Sequence, residues 1–522
     1  MGNGEYYNFG LKNMLEKHLR IIRQPSSQIL WLKFNVDGLP LFKSSRVQFW
    51  PILCLISNFG FQPFVCAVYC GKGKPDLTLF MKDFVPELKD VMDNGITINN
   101  IKFNIFVKSF ICDAPARAFL KGIKGHGGYY GCEKCTQKGK WRKRRITYPD
   151  HNSDLRTDES FADRTQKKHH KEISPLVDIG IKMITMFPLD PMHLIYLGVM
   201  RKLLHIWTGG KLKTRMSATN ISIMSKQLEK AARLWPHEFN RKPRSLHELN
   251  MWKATEYRQF LLYLGPVVLV PWLPTKMYKH FLLLHASIFI LSQDIISPAA
   301  LIQAEHMLRQ FVINSTSKEL YGKTFLIYNV HGLLHLVDDI KCHGSLHEFS
   351  AFPFENKLQS VKRAIRGKNK PLQQLINRTI EINEINTITC DHLIMKDNPV
   401  VLSVHSTGPC LSLTGMQYKK IQWSNTTLSL NEGDNVVITS KNDVIKIVNI
   451  VDTASGIIVI GKRFEKYRDL YLVPCKSSDL NIYIVKNLCE QPSKWHLNDI
   501  LCKAILVQYK NKDAFVSFPM HK

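Results

Sequence analysis

The chain has 522 residues, 45% of them hydrophobic, which is enough for several domains with real cores and excludes a disordered tail. Its 71 lysines and arginines face 43 acidic residues, and the resulting formal charge of +28 favours a polyanionic partner, because each neutralised phosphate releases counterions. The 12 cysteines are scattered, several of them inside apolar runs (Cys54, Cys66, Cys70), a usage that suits a reducing compartment better than a disulfide framework.

Residues 1–9 are polar and form no secretory signal, and 11–22 read as an amphipathic basic helix within an N-terminal segment, 1–28. The run ILWLKFNV (29–36) is rich in β-formers and stops at Asp37-Gly38. Apolar runs at 49–56 and 64–69 follow as further strands, then 77–94 carries apolar residues at helical spacing. NIFVKSFI (104–111) is another strand, closed by Cys112-Asp113. Residues 29–125 thus form an α/β segment with an acid at the end of its first and last strands.

Between 126 and 178 glycine, tyrosine, cysteine and basic residues dominate, as expected of a loop-rich insert. Residues 179–345 return to long apolar-periodic segments, with helices expected at 224–234, 251–264, 278–291 and 298–313. The most apolar stretch, 260–273, is broken by Pro266 and Pro271 and falls short of the roughly 20 residues a membrane span needs, so it reads as buried core. A helix at 349–366 lies within the closing segment 346–395. From 400 to 522 short β-branched runs recur between Gly, Asn and Asp turns, the pattern of a small antiparallel barrel.

Two-metal phosphoryl chemistry needs several carboxylates converging on divalent ions, and a strand-terminal acid followed by a turn is held firmly at a sheet edge. Asp37 and Asp113 end strands, and Glu355 opens a helix (FPFENKLQSVKR) that can pack over them. Taken singly, Asp37 fits an ordinary turn, Asp113 a helix N-cap and Glu355 a charge complementing a helix dipole. Taken together they follow the order strand-acid, strand-acid, helix-acid of one active-site architecture.

Cys132 and Cys135 form the lone CxxC, either a pair of free thiols or half of a zinc site whose missing ligands come from His126, His151, His169, His170 or His193. Asp190 and His193 make a DxxH at the start of an apolar helix, where an N-cap role competes with a functional one. His331 and His335 share a helical face and hint at metal, but the glycine at 332 rules out a zinc protease. The turn Gly71-Lys72-Gly73-Lys74 lacks phosphate-loop spacing and is set aside as a nucleotide site.

The blocks NVDGLPLFKSSRVQFWPIL, FICDAPARAFLKGIKGHGGYYGCEKC, FPLDPMHLIYLGVMRKLL and FSAFPFENKLQSVKR resemble, in this order, transposases of the CACTA (En/Spm-like) superfamily, over residues 30–366. The resemblance implies an RNase H-like α/β core interrupted by a mainly helical insertion, with Asp37, Asp113 and Glu355 as its catalytic, metal-binding DDE triad. It matches the family's CxxC to Cys132 and Cys135 and its [C/D]xxH to Asp190 and His193. It further implies two Mg²⁺ or Mn²⁺ ions, double-stranded DNA as substrate and a homo-oligomer, while the CxxC points to a structural Zn²⁺, the cysteine usage and basic charge to a nuclear setting, and the short apolar runs to no membrane association.

Lys138, Lys140, Arg142, Lys143, Arg144 and Arg145, with Lys362, Arg363, Arg366 and Lys368, are the expected phosphate contacts. Lys167, Lys168 and Lys171 form a third basic cluster that fits solvated surface equally well. Such transposases carry a DNA-binding segment ahead of the catalytic domain, whereas only about 30 residues precede the first strand here. Either the insert and the β-domain recognise DNA ends, or the chain is a truncated or domesticated copy. The rival reading is a catalytically inactive, transposase-derived DNA- or chromatin-binding protein.

Overall fold

In the run Ile101–Phe110, Phe103, Ile105 and Val107 are buried while Lys102, Asn104 and Phe106 face outward, the period of two that a strand covered on one face adopts. The computed structural model describes residues 4–20, 22, 25, 27–389, 399–423, 426–510 and 513–521. They divide into two compact units, one of Met1–Ile195 and Lys323–Ile394, the other of Tyr196–Gly322 and Met395–Lys522.

The first unit is built on a seven-stranded sheet. Its strands are β1 (Glu5–Asn8), β2 (Ile29–Val36), β3 (Leu39–Pro40), β4 (Gln48–Ile56), β5 (Phe64–Gly71), β6 (Ile96–Ile98) and β7 (Ile101–Phe110), in the order β1-β5-β4-β2-β7-β6 with β3 on β4. All neighbours are antiparallel except β2 and β7, which run parallel. Every residue of β5 is buried, so both faces of the sheet are covered there. The helix Leu11–Leu19 buries Leu11, Met14, Leu15 and Leu19. Gly10 has no side chain to cap it, and Glu87 accepts the Leu11 N–H at 2.8 Å instead.

The helix expected at 77–94 is two helices, Leu77–Met81 and Phe84–Asn94. Pro86 has no N–H to give Lys82, and its ring would clash with the carbonyl at that position, so the chain re-enters at Phe84. The strand Glu5–Asn8 escapes sequence pattern because it is short and polar and gains its order from pairing with β5.

The block 179–345 is not one insertion. Its two ends, 179–195 and 323–345, belong to the first unit, because they carry Asp190, His193, His331 and His335, whose partners all lie there.

The second unit joins helices to β-strands. Its long helices are Arg201–Gly209, Ala218–Ala231, Thr275–Leu291 and Pro298–Asn314, and in Thr275–Leu291 nearly every residue from Met277 on is buried. The expected helix at 251–264 is Ala254–Gln259, continued by a wide π-type turn at Phe260–Leu264. No helix of the described residues is long and apolar enough to cross a membrane.

With β8 (Lys140–Arg142) and β9 (Arg145–Thr147) forming a separate hairpin in the first unit, the strands of the second are β10 (Val400–His405), β11 (Met416–Trp423), β12 (Thr426–Ser429), β13 (Val436–Thr439), β14 (Val444–Thr453), β15 (Gly456–Asp469), β16 (Tyr483–Leu488), β17 (Ser493–His496), β18 (Ile500–Gln508) and β19 (Ala514–Pro519). Pairing runs β14-β13-β18-β19-β16-β15 and returns from β15 to β14, so these strands close into a barrel. Val436, Ile438, Val444, Phe464, Val485 and Ala504 fill its interior. A second core, including Ile421, Val437, Ile445 and Val459, packs the outer side of β13–β15 against β11 and β12.

Candidate active site and metal centre

The parallel register of β2 and β7 pairs Phe34 with Phe110, an offset of 76 residues. Asp37 and Asp113 are separated by the same number, so both acids leave adjacent strands at the same level of the sheet. The crossing is stitched further by Ile111 N–H to Phe34 O (2.7 Å), Asn35 Nδ2 to Ile111 O (2.7 Å) and Val36 N–H to Cys112 Sγ (3.3 Å). Asp113 caps the helix Ala114–Leu120, accepting from Ala116 N–H at 2.7 Å, and Asp37 accepts from Gly38 N–H at 2.7 Å.

Glu355 sits in the first turn of Phe352–Ala364 and lies within electrostatic reach of both aspartates. Burial and the charges of Asp113 and Glu355 push the Asp37 carboxyl up to about 7. Burial also raises Glu355, with Asp190 and Asp113 adding to it and His193 opposing. Glu355 is hydrogen-bonded to Asp37, and the ligand atoms of the three carboxylates do not all lie within 4.8 Å of one another. An all-oxygen donor set with mutually repelling charges is what a hard divalent cation prefers.

His193 is not beside the cysteines. Its Nδ1 is 2.6 Å from Asp190 Oδ2 and its Nε2 3.8 Å from Glu355 Oε1. Burial works against charging this imidazole, but the Asp190 hydrogen bond and the charges of Asp190, Asp113 and Glu355 bring its pKa to about 9. Asp190 is buried and also accepts from the N–H groups of Met192 (3.2 Å), His193 (3.0 Å) and Ala351 (2.8 Å). The DxxH segment therefore caps its own helix and pins the start of the helix that carries Glu355.

The ligands that do meet Cys132 and Cys135 are His331 and His335. Cys135 Sγ lies 3.4 Å from Cys132 Sγ and 3.2 Å from His331 Nε2, and His335 Nε2 lies 3.7 Å from Cys132 Sγ and 3.2 Å from His331 Nε2. All four are buried. A tetrahedral zinc with bonds of about 2.1–2.3 Å spaces its ligands by roughly 3.6 Å, which these separations fit. Burial opposes ionisation of Cys132, but the Cys135 thiol and the two histidines draw its pKa below the usual thiol range. His126, His151, His169 and His170 lie outside this cluster. Burial and Arg156 hold His169 at about 3, and burial with Arg164 holds His170 at about 4, so both are neutral packing residues.

The two residues inside the CxxC tie this cluster to the acids. Glu133 pairs with Arg117 (3.0 Å) and Lys121 (3.4 Å) and accepts from Tyr328 OH, while Arg117 donates to the carbonyl of Cys112 at 2.6 Å. Lys134 pairs with Asp339 at 2.6 Å, and Asp339 accepts from the N–H of Leu189 at 2.8 Å, next to Asp190. All these charged groups are buried.

Lys74, from the turn set aside as a nucleotide site, donates to Pro115 O at 3.2 Å and lies within electrostatic reach of Asp113 and Asp37. Among the basic candidates, Lys143, Arg144 and Arg145 are exposed at the tip of the β8–β9 hairpin, with Lys138 and Lys140 leading into it and Arg142 half-buried. Lys362, Arg363, Arg366 and Lys368 are also exposed, with Lys362 donating to Pro40 O and Lys368 to Ser44 Oγ.

His237, Glu238 and Asp434 form a second group of potential ligands, but the buried Lys503 ammonium bonds Glu238 (2.7 Å) and Asp434 (2.6 Å), so both carboxylates already share a cation.

Residues 404–520 match the model of a family described as a domain of unknown function (DUF8592). No curated protein matches the chain.

Proposed function

We propose that the chain is a DNA transposase of the DDE type, or a protein derived from one, with an RNase H-like core that cuts DNA strands and joins the freed end to a target. The observation that carries this reading is the pair Asp37 and Asp113, which follow the ends of the parallel strands β2 and β7 at the offset of their register, with Glu355 brought to them by a helix pinned through Asp190. Divalent Mg²⁺ or Mn²⁺ ions held by these carboxylates would lower the pKa of an attacking water or 3′-hydroxyl and balance charge on the leaving oxygen. His193, charged through Asp190, favours the ionised form of Glu355 and fixes its position. Lys74 and the exposed hairpin cations are suited to hold the phosphate backbone on either side of the scissile bond. The Cys132, Cys135, His331 and His335 cluster is a structural zinc site in this scheme, and double-stranded DNA in the nucleus is the substrate.

The test is strand cleavage of plasmid DNA carrying the element's terminal repeats. Divalent-dependent nicking, followed by joining of a pre-cleaved 3′-hydroxyl end to target DNA, supports the enzyme. Tight DNA binding with no cleavage in Mg²⁺ or Mn²⁺ would favour an inactive DNA-binding descendant.

A further inference from the structure

The barrel closed by β13, β14, β15, β16, β18 and β19 is not filled to its end. At one mouth a cavity of about 450 Å³ opens between the turn Glu432-Gly433 and residues Asn487, Leu488 and Asp513. That volume falls within the range of roughly 300–1,000 Å³ typical of built ligand pockets, and barrel mouths are a common place for them. Its walls are apolar: Val436, Phe464, Ala504, Leu506 and Phe515 line it, and the two phenylalanine rings lie 6.5 Å apart at 56°.

Two polar features point to what it takes. Asn435 lines the cavity and is only 4% exposed, which puts a side-chain amide in its otherwise apolar wall. A polar atom supplied from the cavity would find a hydrogen-bonding partner in that amide. At the rim stand the carboxylates of Glu432 and Asp513 against one cation, Lys446, which is 3.9 Å from Glu432. On a chain of formal charge +28 this mouth carries a local acidic excess. Phosphate is disfavoured there and a cation favoured.

We infer that the barrel mouth binds a lysine side chain, free or N-methylated, from a basic peptide segment. The methylene stem lies along Leu506, Phe464 and Phe515, as long cationic side chains cover apolar surface while their charged ends seek polar partners. The ammonium is drawn by the rim carboxylates and by the ring faces. The Asn435 amide bonds the head group or the peptide backbone. This site lies wholly in the second unit and depends on none of the acid-site residues, so it stands whether or not the chain cleaves DNA.

The experiment uses the full chain and a fluorescent, otherwise uncharged glycine-serine peptide with one central lysine, trimethyl-lysine or norleucine, read by anisotropy. One of the two lysine forms binds, and the norleucine peptide is weaker by at least about tenfold. Glu432→Gln with Asp513→Asn, both at exposed positions, weakens that binding by about tenfold or more, and Asn435→Ala weakens it independently. Preference between the lysine forms identifies the head group: a hydrogen-bonding site prefers the free amine, a ring-dominated one the trimethyl form. Equal binding of norleucine, no effect of the rim double substitution, or no binding of either lysine form at about 1 mM would overturn the assignment.

Discussion

Asp190 accepts the backbone N–H of Ala351 at 2.8 Å across 161 residues of sequence. That bond joins the DPMH segment to the helix of Glu355, and the same carboxylate holds His193 Nδ1 at 2.6 Å. Asp190→Ala leaves two buried donors unmatched, so stability falls by about 1–3 kcal/mol in urea unfolding. The His193 pKa, read by NMR titration, falls from about 9 toward or below the usual 6.5, because burial is no longer opposed by this partner. An unchanged His193 titration would contradict the coupling.

The buried Glu133 pairs with Arg117 and Lys121. Burial alone would raise its carboxyl, but the two cations hold it at about 2. Its folded pKa is therefore depressed, and its contribution to stability is full above the unfolded value of about 4.3 and lost as pH falls toward 2. The depressed values of His169 (about 3) and His170 (about 4) start the acid loss earlier, as pH falls below about 6.5. Glu133→Gln, which strands two buried cations, costs about 3–5 kcal/mol at pH 7 and flattens the acid limb between pH 4 and 2. A wild-type-like pH profile in this variant would contradict it.

Metal content gives a third check. One zinc per chain is expected by atomic absorption, released by chelator with a fall in melting temperature. His331→Ala and Cys132→Ser each lose it, while His193→Ala keeps it. Retention of zinc in His331→Ala would point to other ligands.

The β8–β9 hairpin turns through Lys143 (φ 44°) and Arg144 (φ 62°), both in the left-handed region that a two-residue turn of this kind reserves for Asn and Gly. Two bulky cations in that conformation cost roughly 1–2 kcal/mol each, which makes sense if their charge is used. Lys143→Asn with Arg144→Gly is therefore expected to raise stability while weakening DNA binding. The slope of log affinity against log salt should shrink by about 1.8, the share of two phosphate contacts. Stabilisation with unaltered DNA binding would remove the hairpin from the interface.

Much of this was legible from residue pattern. The strand before Asp37 falls where ILWLKFNV predicts it, since a run rich in β-formers marks a strand, although the burial of Lys33 and Asn35 within it was not legible. The partners of the CxxC were not legible. Nearly 200 residues separate Cys135 from His331, and spacing alone cannot choose between HGLLH and five nearer histidines. Nor could sequence show that Glu133 and Lys134 are buried ion-pair members, because charged residues in a lysine-rich loop look solvated until their partners arrive from Tyr328 and Asp339. Barrel closure was likewise hidden, as it depends on β14 meeting both β13 and β15.

The most direct measurement is DNA cleavage by Asp113→Cys in Mg²⁺ and in Mn²⁺, beside the wild-type chain. A thiolate is a poor ligand for Mg²⁺ and a better one for the softer ion. If Asp113 holds a catalytic metal, the wild type nicks DNA with either ion, while the variant falls by about 10³-fold in Mg²⁺ and recovers in part with Mn²⁺. Equal cleavage by variant and wild type in Mg²⁺, or no divalent-dependent cleavage by the wild type, would contradict the account.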